Sequence, residues 1–81
     1  MTKILLVDDE EKALDVFCRS LNMLGYQATG VSRPKAVCDS IKKLSPEAVI
    51  VDLMMPEMGG LELLKEIKAL DADLPVIVLT G

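Results

Sequence analysis

Eighty-one residues, 51% hydrophobic and 27% charged, suit one small domain with enough apolar side chains for a modest core and too many for disorder. A net charge of −4, with the nine basic residues scattered, argues against direct nucleic-acid binding. Histidine is absent, which removes the usual zinc ligand and neutral-pH general base, and no apolar run approaches the 18 or so residues of a membrane span.

In chain order, "ILLV" (Ile4 to Val7) is a continuous apolar run of the kind found in strands buried on both faces. The acids "DDEE" follow, then a helical pattern in which Leu14, Phe17, Leu21 and Leu24 share one face, with Gly25 as its C-terminal stop. Tyr26 to Val31 reads as a second strand, with Gly30 clouding its end. Ser32 and Pro34 open the next helix, the serine as a cap and the proline in the first turn, and Val37, Ile41 and Leu44 form its apolar face. Ser45 and Pro46 break it. "AVIVD" is a third strand closed by Asp52. "LMMPEMGG" is a loop in which Pro56 fixes the path and Gly59 and Gly60 supply tight geometry. Leu61 to Leu70 is a third helix with Leu63, Leu64, Ile67 and Leu70 inward; Lys65 and Lys68 are surface charges on it. "DADLP" is a turn and "VIVLT" a fourth strand.

Alternating strands and helices predict an α/β fold, β-α-β-α-β-α-β, with a parallel sheet joined by right-handed crossovers. Ligands of such sheets bind at the carboxyl ends of strands. Asp8 and Asp9 follow strand one, Asp52 closes strand three and Thr80 closes strand four. If strands one and three are neighbours, three carboxylates converge, and a hard divalent cation such as Mg²⁺ would relieve their repulsion. Asp52 could then act as a nucleophile toward a phosphoryl group.

"LLVDDEE", "VDLMMPEMGG" (Val51 to Gly60) and "PVIVLTG", taken together and in this order, resemble the receiver domain of bacterial two-component response regulators. The resemblance implies a flavodoxin-like fold with strand order 2-1-3-4, the 81 residues being the N-terminal portion of a single receiver domain. It implies a phosphoacceptor module rather than an enzyme. Asp52 would accept a phosphoryl group from a histidine kinase. Asp9 would bind Mg²⁺ directly, Asp8 mainly through water, and Met54 through its backbone carbonyl. Thr80 would be the switch hydroxyl. The resemblance also implies a fifth strand, two further helices and a lysine after the fifth strand, none of which has a counterpart here, so the chain looks cut short. "PVIVLTG" is further similar to receivers of nitrogen-regulation-type transcriptional activators.

Blander readings remain open. Asp8 and Asp9 could cap the first helix, with Glu10 and Glu11 as solvent-facing first-turn acids; Asp52 could be a strand-end turn residue and Thr80 a β-former. Met54, Met55 and Met58 could pack the loop or offer a soft recognition surface. A non-signalling, structural or self-associating fragment of receiver ancestry is one alternative. A Mg²⁺-dependent aspartyl-nucleophile phosphatase of the haloacid-dehalogenase type is another, weakened because Met54 stands where that class has its acid. Cys18 and Cys38, on helices expected on opposite faces, predict two free thiols. A cytoplasmic setting is expected, since the apolar run at the start is too short for a signal peptide. Strand four at an edge, beside an uncovered sheet face, predicts self-association.

Overall fold

A computed structural model of the chain describes residues 2–52 and 59–79. Its elements are β1 (Lys3–Val7), α1 (Glu11–Met23), β2 (Gln27–Val31), α2 (Pro34–Leu44), β3 (Ala48–Asp52), α3 (Gly60–Leu70) and β4 (Val76–Leu79). The strands form one parallel sheet in the order β2-β1-β3-β4. This is the parallel α/β sheet expected from the alternation of elements, in the flavodoxin-like strand order that the receiver resemblance implies.

The period-two alternation of each strand divides the apolar residues between two layers. Leu5, Val7, Val49 and Val51 face Val37 and Ile41 of α2 and Leu63 and Ile67 of α3. Leu6 and Ile50 face the other way, onto Leu14 of α1. Each fully covered aliphatic side chain contributes roughly 1.5–3 kcal/mol, so the α2–α3 layer holds most of the stabilisation.

Several local expectations need correction. Ser32 does not cap α2: its N-cap residue is Arg33, without a side-chain cap, while Pro34 takes the first helical position. A proline loses nothing there, because first-turn N–H groups have no partner within the helix. On α1, Leu14 is buried and Leu21 half-buried, but Phe17 is 38% and Leu24 74% exposed; Cys18 joins the packing instead. The reason is that α1 lies over β1 and β2. Asp15 and Cys18 border a hollow against Ala28 and Thr29 of β2. The opposite flank, with Ala13 and Phe17, therefore looks across the sheet toward β3 and β4. On α3, Leu63 and Ile67 are buried and Leu64 half-buried, but Leu70 is exposed. Gly59 has an unremarkable φ of −63°, and a Cβ there would make only ordinary contact with Glu62, so no tight geometry is required at that position.

The helix ends behave as their residues dictate. Gly25, at φ +98°, donates its N–H to the Asn22 carbonyl and closes α1. Ser45 takes the left-handed conformation after α2 (φ 47°) and donates to the Ile41 carbonyl at 2.9 Å. The turn before β4 is tied down by Lys68, whose Nζ donates to the Leu74 carbonyl at 2.7 Å. Lys68 is thus more than a surface charge, and it holds a turn whose Leu74 side chain is buried.

Candidate functional site

The parallel order puts the carboxyl ends of all four strands along one edge. Val7 pairs in register with Val51, and continuing that register by one residue sets the Asp8 backbone beside Asp52. Neighbouring strands lie about 5 Å apart, so the two backbones are within reach of one small ligand. Asp8 is held there by its own N–H, which donates to the Val31 carbonyl at 3.3 Å. Asp9 is the next residue along. Asp8, Asp9 and Asp52 are all half-buried, with Glu10 and Glu11 exposed beyond them.

The local geometry bears on the capping alternative. The N-cap of α1 is Glu10, and no side chain caps the helix. Asp8 Oδ1 instead accepts the Glu10 N–H at 3.0 Å, a tight turn that leads the chain from β1 into α1. Neither aspartate is therefore spent on the N–H groups of the first helical turn, and the positive end of the α1 dipole opens at the same edge as the acids. That uncapped helix start is a feature of the site for which the sequence, with four acids in a row, held no clear signal.

The donors fit Mg²⁺ in kind: hard carboxylate oxygens from two adjacent strand ends. Among the described residues, however, no three acids are drawn together as a ready metal cluster. Asp52 carries an interaction of its own. Met54, Met55, Pro56, Met58 and Thr80 lie outside the described residues. A small cavity of about 50 Å³, bordered by Lys3, Gln27, Leu44 and Pro46, is at the opposite end of the strands and plays no part in the site.

Known proteins share this arrangement. The model of the response regulator receiver domain matches residues 4–81. The chain belongs to that family. Receiver domains are phosphoacceptor modules of signal transduction rather than enzymes. The response regulator MprA of Mycolicibacterium vanbaalenii is 36% identical over 79 residues, covering 98% of this chain and 34% of that protein. The N-terminal domain of a response regulator receiver protein from Methanoculleus marisnigri JR1 superposes with a TM-score of 0.90 at 33% identity, over 99% of this chain and 67% of that one. TrrA of Thermotoga maritima, solved in complex with Mg(2+)-BeF, superposes with a TM-score of 0.88 at 30% identity, over 99% of this chain and 70% of that one. The chain thus spans about a third of the curated relatives it matches and about two thirds of the solved receivers. The last strand and helix of the receiver fold are not among these 81 residues.

Proposed function

We propose that the 81 residues are the N-terminal portion of a single receiver domain and that Asp52 is its phosphoacceptor. The reading rests on one observation: in a chain of this family, Asp52 ends a central strand beside the backbone of Asp8. A carboxylate oxygen of Asp52 attacks the phosphorus of a phosphohistidine on a partner kinase. The oxygen–phosphorus bond forms as the nitrogen–phosphorus bond breaks; the bonding pair stays on that nitrogen, and the imidazole leaves neutral with the proton its other ring nitrogen already carried.

Asp9, Asp8, Asp52 and the backbone carbonyl of Met54 would hold Mg²⁺, which when bound neutralises charge on the transferring group. Asp8 contributes by fixing the turn that sets Asp9 at the edge. The α1 N-terminus adds a positive end next to the acids. Thr80, the residue after β4 in the sequence, would be the switch hydroxyl that senses the phosphoryl group. The fit of Mg²⁺ is supported by TrrA, whose structure holds Mg(2+)-BeF. The working compartment proposed is the cytoplasm, where thiols such as Cys18 and Cys38, both free, stay reduced. Among the described residues no helix is long and apolar enough to cross a membrane. Beyond the kinase, a second copy of the chain is proposed as a partner.

The test is a small-molecule phosphodonor with Mg²⁺, read by mass spectrometry. One acid-labile phosphoryl group should appear and be lost in Asp52→Asn. It should appear slowly or be short-lived, because the lysine that the family carries after its fifth strand, to clamp the phosphoryl oxygens, is not among these residues. Asp9→Asn should weaken Mg²⁺ binding by calorimetry. Labelling that survives Asp52→Asn would remove Asp52 from the role.

A further inference from the structure

Charge is unevenly divided along the chain. Four of the nine basic residues but one of the thirteen acids fall between residues 33 and 44, which gives that stretch a net charge of +3; the other five basic and twelve acidic residues leave the rest at −7. The stretch is α2 with its N-cap residue Arg33. Val37 and Ile41 turn the helix onto the core, while Arg33, Lys35, Asp39, Lys42 and Lys43 are all exposed. Lys35 and Lys42 lie two turns apart on one stripe, about 10 Å along the axis, with Asp39 between them. α2 packs on β1, β2 and α3. β2 is the sheet edge farthest from β4, and it is beyond β4 that the flavodoxin-like order adds its last strand. The outer face of α2 is therefore surface in the complete fold as well.

The needs of the helix account for only half of these cations. Lys42 and Lys43 are in the last turn, where positive charge complements the helix dipole. Arg33 and Lys35 are at the other end, where positive charge opposes it, and α2 has neither a first-turn acid nor a side-chain cap to offset them. α1 and α3 carry Glu11 and Glu62 at the equivalent place. Nor does α2 neutralise itself. Asp39 is four residues from both Lys35 and Lys43, the spacing of a helical ion pair, yet among the described residues the ion pair formed is Asp15–Arg19 on α1. The positive charge of this face thus opposes the start of its own helix and stays available to another molecule.

We propose that the outer face of α2 docks an acidic helix of another protein, which lies along it with carboxylates against Lys35 and Lys42 and one cation against Asp39. Charge complementarity selects this occupant. Asp39, set between the lysines, disfavours a uniform row of negative charge. A nucleic acid or an anionic bilayer would also extend past the patch onto a body at −7 and be repelled there. One helix covers the 11 residues of α2, about 16 Å, and need reach no farther. The surface runs the whole length of α2, and the proposal is independent of the chemistry of Asp52.

The probe is an alanine-based helical peptide with pairs of glutamates two turns apart and one lysine between them. It is titrated into the 15N-labelled chain at about 50 mM salt and followed by amide chemical shifts. It should bind with a Kd on the order of 100 µM, with the shifts confined to residues 33–44. Lys35→Glu and Lys42→Glu should each weaken binding at least fivefold, whereas Lys12→Glu, the same charge change on α1 across the sheet, should alter it less than twofold. Replacing the peptide's lysine with glutamate should weaken binding despite the added charge, and Asp39→Asn should remove that difference. The substituted side chains are all exposed, and far-UV CD checks that each variant folds. If one does not, the exchange of the peptide's lysine on the parent chain decides. Absence of α2 shifts at about 2 mM peptide overturns the proposal. So does an equal loss in Lys12→Glu, which would reduce the effect to net charge. Tighter binding at α2 of the all-glutamate peptide, of duplex DNA or of phosphatidylserine vesicles would also overturn it, by showing a general anion surface.

Discussion

Gly30 is the position where a single methyl group should do the most damage. A Cβ built there would lie 2.7 Å from Leu14 Cγ, 2.9 Å from Cδ2 and 3.1 Å from Cδ1. Two of these separations are shorter than side-chain carbons tolerate, and the nearest is to Cγ, which cannot swing away as a terminal methyl can. Leu14 is 8% exposed and packed against Leu6 and Ile50, so retreat means giving up that packing for the open hollow beside Cys18. Overpacking of this kind costs about 1–3 kcal/mol. Alanine recovers about 0.4–1 kcal/mol by restricting the unfolded chain, since Gly30 has no positive φ to lose. Gly30→Ala should therefore destabilise by roughly 1–2 kcal/mol, a large share of a stability of about 5–15 kcal/mol. Urea denaturation at fixed protein concentration measures it, and Leu14→Ala supplies the control. That change alone should cost about 2–5 kcal/mol, so all four corners of the cycle are measured in an excluded osmolyte that raises their stability. With the Leu14 side chain cut back, Gly30→Ala should become neutral or stabilising. A penalty that persists in the Leu14→Ala background would refute the steric argument, and so would a Gly30→Ala variant more stable than the parent.

Other consequences are smaller and separable. Lys68→Met keeps the aliphatic stem but removes the bond to the Leu74 carbonyl; it should lower stability by about 1 kcal/mol in urea, whereas Lys65→Met should change it by less than about 0.5 kcal/mol. Burial, and secondarily Asp15, raise the Cys18 pKa, so the folded state favours the neutral thiol. That stabilisation is complete below the ordinary thiol value of 9.0 and is lost as pH rises through the higher folded value, so stability should fall on the alkaline side and Cys18 should alkylate faster once the chain is unfolded. Native-state hydrogen exchange should open α1 and β2 at lower free energy than β1 and β3; uniform protection would contradict the unequal covering of the two faces.

The fold was legible where composition and local periodicity coincide. β3 begins and ends where "AVIVD" does, because a run buried on both faces has no polar residue until the aspartate that meets solvent. The α1 boundaries were legible too, but not its burial. A 3.6-residue period tells which side of a helix is apolar, not how much sheet lies beneath it, so Phe17 and Leu24 were expected inside and stand outside. Gly30 clouded the end of the second strand, and it is a strand residue, as that reading had it, whose missing side chain makes room for Leu14. Leu74 was hidden by its turn-forming neighbours, though an isolated leucine between aspartate and proline is a signal in retrospect. At the site, strand ends placed Asp8, Asp9 and Asp52 on one edge. The Asp8 turn could not be read, because capping and turn formation use the same residue types.

The unequal faces also bear on how the site is held. Asp8 and Asp52 follow Val7 and Val51, which are 1% and 0% exposed and locked between α2 and α3. The backbone that carries the two aspartates is therefore anchored from the well-filled side of the sheet. The neighbouring β4 is tied to the same core through Val76. The proposed acceptor is thus set on β3, between β1 and β4 in the sheet. A carboxylate that must meet an incoming phosphoryl group in one orientation is served by that anchoring, since a close-packed core yields little to displacement.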